Sequence, residues 1–380
     1  MMVSYNQPYK LFILLFLIII MMIDCNPVQK DEHELKWSIV SEIPPEAGQP
    51  QSIGYAGPVA GTHNGVLFIG GGANFPEGMP WLGGQKKYHD ELWVYKPAEN
   101  KFELFRLPAT LAYSANVSTP EGVISIGGEN ETGIIPDVLF TQWKDGKAVV
   151  AKLPPLPIGI TNAAAAVVGS SLYVAGGETK EATSAGLFTM NLNDTAAGWE
   201  ELKSLPQATS HAVLVAAGKG KLFLAGGRKK TPSGISDLYA TLYEYDIAAN
   251  EWKQKKSMPY ALCAGTGTII NDEYIVMFGG DKGETFHKTE TIIAKINAEK
   301  DSTVKEQLTK EKIKIQSTHP GFSKEVLWYN VKTDEWTASG SIPFDAPATT
   351  TAVKIGDKVF IPSGEIKAGV RTPQILQARR

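Results

Sequence analysis

Short apolar runs ending in paired glycines recur along the chain: Val66–Gly72 (VLFIGGG), Val123–Gly128 (VISIGG), Leu172–Gly177 (LYVAGG), Leu222–Gly227 (LFLAGG) and Tyr274–Gly280 (YIVMFGG). A degenerate sixth copy is Val359–Gly364 (VFIPSG). Runs of this length, rich in β-branched and aromatic residues and closed by glycine, predict buried strands. Between them lies a second strand-like element with a proline a few residues on: Trp37 with Pro44, Phe102 with Pro108, Val150 with Pro154, Trp199 with Pro206, Trp252 with Pro259, and Trp336 with Pro343. From that element to the next glycine pair the interval stays at 25 to 27 residues, with only Trp37 to Gly71 longer. Such register predicts one repeated unit of ~50 residues instead of the two or three separate domains that 380 residues would otherwise suggest.

The last glycine-ended run is followed by only sixteen residues, too few for a complete unit, while the Trp37 element stands unpaired at the start. A ring closed by lending the N-terminal strand to the last unit removes both exposed edges. Glycine pairs without a Cβ let neighbouring inner strands approach and let the chain turn sharply, and tryptophan fills the wedge between units. Short strands, glycine pairs and a following tryptophan at this period resemble kelch repeats, each of which folds as one four-stranded propeller blade. The expectation is an all-β, six-bladed kelch-type β-propeller over 34–380.

Two segments break the pattern. Between Ile293 and Trp328 the chain turns lysine- and glutamate-rich, which predicts an insertion at about 295–325, with an amphipathic helix from Ser302 to Lys314 capped by Ser302. A solvated excursion and a lid over the channel mouth both remain open for it. Leu11 to Ile23 is an unbroken apolar run after Lys10, too short to span a bilayer and typical of a signal peptide, expected over 1–24. The expectation is an exported, periplasmic protein. Cys25 resembles the lipid-acceptor cysteine of bacterial lipoproteins, although Asp24 departs from the small residue usual there, so a lipid anchor at Cys25 stays open.

Composition narrows the chemistry. With 37 basic against 40 acidic residues the net charge is −3, so there is no basic field to attract nucleic acid. The other cysteine, Cys263, sits in an apolar small-residue stretch, so no disulfide framework is expected. The six histidines show no metal-ligand spacing and no phosphate-loop motif is present, so neither metal nor cofactor is expected.

In a ring of such units the residues just after each glycine pair surround one channel mouth. They are Asn74 (after Ala73), Glu129, Glu178, Arg228, Asp281 and Glu365, five of them charged beside almost wholly apolar strands. Solvated turn charges are the plain alternative. Arg228 stands out because the chain has only five arginines, and a guanidinium binds carboxylates bidentately.

The segment Gly364-Glu365-Ile366-Lys367-Ala368-Gly369-Val370-Arg371-Thr372 places a carboxylate, a lysine and an arginine beside that mouth. It resembles the catalytic segment of the N-acetylneuraminate epimerases, or sialic acid mutarotases. Gly71-Gly72-Ala73-Asn74-Phe75-Pro76, followed by Trp81, Lys86-Lys87, Tyr88-His89-Asp90 and Leu92-Trp93-Val94-Tyr95, resembles the circularly permuted branch of that family. The resemblance implies an isomerase that interconverts the α and β anomers of an acidic sugar, sialic acid. It implies Glu365 as general acid/base and Arg371 as its orienting or substrate-binding partner. Arg228 is then the candidate clamp for the sugar carboxylate, with Asn74, Glu129, Glu178 and His89 as further substrate contacts. A non-enzymatic module that binds a glycan or protein at the mouth, and an epimerase acting on another acidic sugar, are the competing readings.

Overall fold

The computed structural model describes residues 1, 2 and 33–380, so the expected signal peptide and Cys25 lie outside the described residues. The chain divides into the units Met1–Glu34 and Leu35–Arg380, and every strand and helix named below belongs to the second. Six antiparallel sheets build a six-bladed β-propeller. In blades 1 to 5 the chain runs from the innermost strand outward, for example Ala56–His63, Val66–Asn74, Glu91–Lys96 and Lys101–Arg106 in blade 1. Blade 6 takes Val353–Ile355, Lys358–Pro362 and Gln374–Arg379 from the C-terminus and its outermost strand, Lys36–Glu42, from the other end of the chain. Trp37 pairs with Ala378, so the first and last strands close the ring as the pattern predicts.

Each wedge between blades holds its own apolar core. The residues of the fourth-strand element sit in these wedges and face the preceding blade: Trp37 lies edge-on to Phe278 at 5.6 Å, and Trp199, Trp252 and Trp336 pack in the next wedges round. Their indole N–H groups cross the boundary as donors, Trp199 to the Pro154 carbonyl, Trp252 to Lys203 and Trp336 to Lys256, at 2.8 to 3.0 Å. A large apolar ring therefore fills the wedge while its one polar atom is satisfied by the neighbouring blade's backbone.

The glycine pairs sit where blades touch. At Gly176 φ is +65°, and a Cβ there would lie 2.2 Å from the Thr209 carbonyl oxygen of the next blade. In the sixth copy Ser363 takes this place at φ 57°, and its hydroxyl makes use of the contact: it accepts the Tyr55 N–H at 2.8 Å and lies within donating distance of the Tyr55 and Thr372 carbonyls.

A closed belt of backbone hydrogen bonds surrounds the axis. Gly57 donates to Thr349, Tyr113 to Gly57, Asn162 to Tyr113, His211 to Asn162, Ala264 to His211 and Thr349 to Ala264, all at 2.8 to 2.9 Å. All six residues have φ between 53° and 58°. Five of them stand two to four residues ahead of an innermost strand and Gly57 is the second residue of one, and together they line one end of a central channel of about 480 Å³.

The insertion lies between the second and third strands of blade 5, where the other blades turn back by shorter connections. It begins earlier than the sequence predicts: helix α1 spans Glu284–Ala298 and helix α2 Ser302–Ser317. The cap of α2 is Asp301, whose carboxylate accepts the Thr303 and Val304 N–H groups, and Ser302 is the first helical residue instead of the cap. A carboxylate at this position also meets the positive end of the helix dipole.

Candidate active site

Directly beside the belt, a short antiparallel bridge follows each glycine pair: Ala112 with Glu129, Thr161 with Glu178, Ser210 with Arg228, Cys263 with Asp281 and Ala348 with Glu365. These five charged residues therefore occupy equivalent places around the mouth. In blade 1 the equivalent residue is Ala73, paired with Ala56, and Asn74 lies one position further on.

Glu365 and Arg371 pair within a single blade. They are register partners in the hairpin of Glu365–Lys367 and Val370–Arg371. Arg371 Nη1 lies 3.2 Å from Glu365 Oε1, and the arginine side chain is only 5% exposed. Its Nε donates to the Ala73 carbonyl at 3.2 Å and its guanidinium lies 4.6 Å from the Phe75 ring centre, so blade 1 fixes its plane. Glu365 Oε1 also accepts the Gly369 N–H at 3.1 Å, and Oε2 accepts the Thr349 hydroxyl at 3.3 Å. Beside them stands Tyr113, whose hydroxyl is pushed up to about 12 by burial and by the charge of Glu365, so it stays protonated near neutrality. Lys86 completes this side: it pairs with Glu129 at 2.8 Å and lies 5.3 Å from the Tyr113 ring centre, while the Tyr88 hydroxyl donates to Glu129 at 2.7 Å.

Glu178 is the hub of the opposite side. It accepts from Arg228 Nη2 at 3.1 Å, from the Ser210 hydroxyl at 3.1 Å and from Lys230. Burial raises the Glu178 pKa, but the charges of Arg228 and Lys230 outweigh it and hold the carboxylate below its ordinary value. Burial, aided by Arg228, drives the His211 pKa down to about 3, so the imidazole is neutral and its Nδ1 receives Arg228 Nε at 3.4 Å. Two of the three Arg228 nitrogens are thus engaged within the protein. Asp281 is shifted the other way: burial raises its pKa, offset only in part by the Gly283 N–H.

The insertion spans this mouth. In α1, Glu290 accepts the Ser236 N–H and hydroxyl of blade 4 at 2.8 and 2.7 Å, His287 contacts the Ser236 carbonyl, and the Phe286 ring lies 5.0 Å from the Arg228 guanidinium. Helix α2 packs against the turn Pro80–Leu82 of blade 1, and Gly321, just beyond it, approaches the Ile366 carbonyl of blade 6.

His89 and Asn74 belong to a separate buried network. His89 Nε2 lies 2.8 Å from Asn74 Oδ1, and its Nδ1 lies 3.3 Å from Glu46 and 3.4 Å from Glu91. Glu46, His89 and Glu91 are the one grouping of metal-ligand type among the described residues. Lys87 and Arg106 already neutralise its two carboxylates.

Sequence reasoning did not find Tyr113, Asn162, His211 or Thr349. Their shared signal is positional: each stands between small residues two to four places before the start of an innermost strand, with no residue type in common.

Comparison with known proteins points to one family. A family model described as N-acetylneuraminate epimerase matches residues 153–379. That span includes Glu178, His211, Arg228, Asp281, both helices, Glu365 and Arg371. The chain is similar to the N-acetylneuraminate epimerase of Brucella melitensis biotype 1, 31% identical over 240 residues that cover 61% of this chain and 60% of the relative. It is 27% identical to that of Haemophilus influenzae (strain PittEE) over 227 residues, covering 60% and 59%. For Yersinia pestis (strain Pestoides F) the figures are 26% over 229 residues, 59% and 56%. The chain thus spans about three fifths of the length of the curated relatives it matches.

Proposed function

The chain belongs to the N-acetylneuraminate epimerase family, and from that premise we propose that it is a mutarotase exchanging the α and β anomers of N-acetylneuraminic acid. The observation that carries the proposal is the Glu365–Arg371 pair, held by blade 1 and the belt at a mouth crossed by the insertion. Opening the hemiketal requires removal of the anomeric hydroxyl proton and delivery of a proton to the ring oxygen, and closure on the other face reverses both. Glu365 takes and returns the proton, since its two oxygens already accept from Gly369 and Thr349 and are fixed in direction. Arg371 orients that carboxylate and balances its charge. The Tyr113 phenol, kept protonated, is placed to donate to an oxygen beside Glu365. Glu129, Glu178 and Arg228 serve as walls for the sugar's hydroxyl, glycerol and N-acetyl groups, and the insertion acts as a lid that excludes bulk water.

Export to the periplasm, directed by residues 1–24, belongs to the same proposal, since a mutarotase there would meet sialic acid as it is released. One-dimensional proton NMR of freshly released α-sialic acid tests the function. Anomer exchange faster than in matched buffer supports it, whereas sugar binding without acceleration would make the propeller a binding module.

A further inference from the structure

The insertion brings to the mouth a polar atom that the protein itself does not use. His319 follows the last turn of α2 and is only 4% exposed. Its Nδ1 accepts the Gly321 N–H at 3.0 Å, so the proton of the neutral ring sits on Nε2. Burial lowers the imidazole pKa against the pull of Asp281 and Glu365, and Lys367 acts in the same direction as burial, so the neutral ring prevails. The Nε2–H is therefore a donor, and it is buried with no acceptor among the described residues. The groups around it locate it: Asp281 from blade 5, Glu365 and Lys367 from the blade 6 hairpin, and the Phe322 ring edge-on at 5.2 Å.

A second donor on that hairpin is in the same condition. Arg371 Nη1 is buried and, although 3.2 Å from Glu365 Oε1, makes no aligned hydrogen bond. Buried donors in native proteins are matched by an acceptor, whether protein, water or ligand. Two such donors, one neutral and one cationic, around one carboxylate-bearing hairpin suit an acceptor-only anion that brings oxygens of its own.

We infer that His319 Nε2 and Arg371 Nη1 together hold the carboxylate of the acidic sugar, which makes His319 a specificity residue supplied by the insertion. The inference rests on the sialic acid reading above and gives that site its carboxylate pocket. It also relieves Arg228 of the clamp role, in keeping with that residue's engagement by Glu178 and His211. Selection of acidic over neutral sugars then depends on a segment outside the repeated blade pattern.

The test uses the full chain and two sugars, N-acetylneuraminate and its analogue with the carboxylate reduced to an alcohol. His319→Phe keeps a ring beside Phe322 and removes the donor. It should weaken sialic acid binding about 10- to 100-fold, the worth of a hydrogen bond to a charged group, and barely change binding of the reduced sugar. His319→Gln, which restores an N–H donor, should recover part of the loss. In the unmutated protein the imidazole Nε2–H resonance should move downfield with sialic acid and stay in place with the reduced sugar, which decides the matter even if His319→Phe does not melt cooperatively. Equal losses for both sugars, or an unmoved Nε2–H signal in a protein that accelerates anomer exchange, would overturn the inference alone. Neither binding nor acceleration by the unmutated protein would overturn the sialic acid reading and the inference with it.

Discussion

Glu365 and Arg371 stand directly opposite each other across a hairpin of two short strands, with Nη1 and Oε1 3.2 Å apart. Only five residues separate them in sequence, yet the arginine is held mainly from elsewhere, by the Ala73 carbonyl and the Phe75 ring of blade 1. The geometry of the pair is therefore set at the seam where the two ends of the repeat meet.

If Glu365 moves the proton, Glu365→Gln keeps the side chain's size and slows catalysed exchange by ~10²–10⁴-fold. Exchange rates above the buffer baseline, followed by proton NMR at matched pH, check this. A variant with full activity and an unchanged melting curve would remove Glu365 from the mechanism.

Arg371→Lys keeps the charge but loses both the planar fork and the stacking on Phe75. We expect about 10- to 100-fold lower kcat, and a Glu365→Gln/Arg371→Lys double variant no slower than the worse single one, because residues acting as a unit are not additive. Multiplied losses in the double variant would show that the two act independently.

The pH dependence of stability should carry the mark of His211. Its folded pKa of about 3 lies below the ordinary value of 6.5, so its contribution is fully present above pH 6.5 and is lost as pH falls from there toward 3. One such group gives a slope of roughly 1.4 kcal/mol per pH unit inside that window. His211→Asn should preserve the belt, since Asn162 already occupies the equivalent place with the same left-handed backbone, and should flatten the denaturation profile between pH 6 and 4 by about that slope. Parallel profiles for the two proteins would refute the assignment.

At the blade contacts, Gly176→Ala drives a Cβ to 2.2 Å from the Thr209 carbonyl oxygen and should cost more than about 2 kcal/mol by urea denaturation. Ser363→Gly relieves a left-handed residue but removes the hydroxyl's bonds to Tyr55 and Thr372, for a loss of about 1–3 kcal/mol. Unchanged stability in Gly176→Ala would mean that the blades can separate at this point.

The architecture was legible because its constraints fall on residue type. Gly226 and Gly227 must lack a Cβ and Trp252 must fill a wedge, so each leaves a letter in the sequence at a fixed interval. Away from Gly57 the belt constrains φ alone, and residues as different as Tyr113, Asn162, His211 and Thr349 satisfy it, which conceals four mouth residues from any search by type. Helix α1 was missed because Thr285, Thr289, Thr291, Ile292 and Ile293 are β-branched and read as strand, whereas its helical form is secured by packing on α2 and by Glu290 on Ser236. Asn74 was placed on the ring by position after the glycine pair, but the bridge to Ala56 belongs to Ala73, and in a strand one residue's offset reverses the face. The pairing of Glu178 with Arg228 joins two blades, and no spacing within either blade announces it.

The belt has a consequence for how such a protein changes. Its six links are all main chain, and each residue both gives and receives one bond, so the hoop has no first or last member. Gly57 is held to glycine, since a Cβ there would lie 2.4 Å from the Tyr113 ring, but the five side chains of the belt are tenants of a frame that does not depend on their identity. An alanine, a tyrosine, an asparagine, a histidine and a threonine already coexist there. Exchanging one of those five for another alters what the mouth can grip while the ring stays closed, so the chemistry of the opening can change in a lineage that begins from this scaffold without any need to redesign the blades.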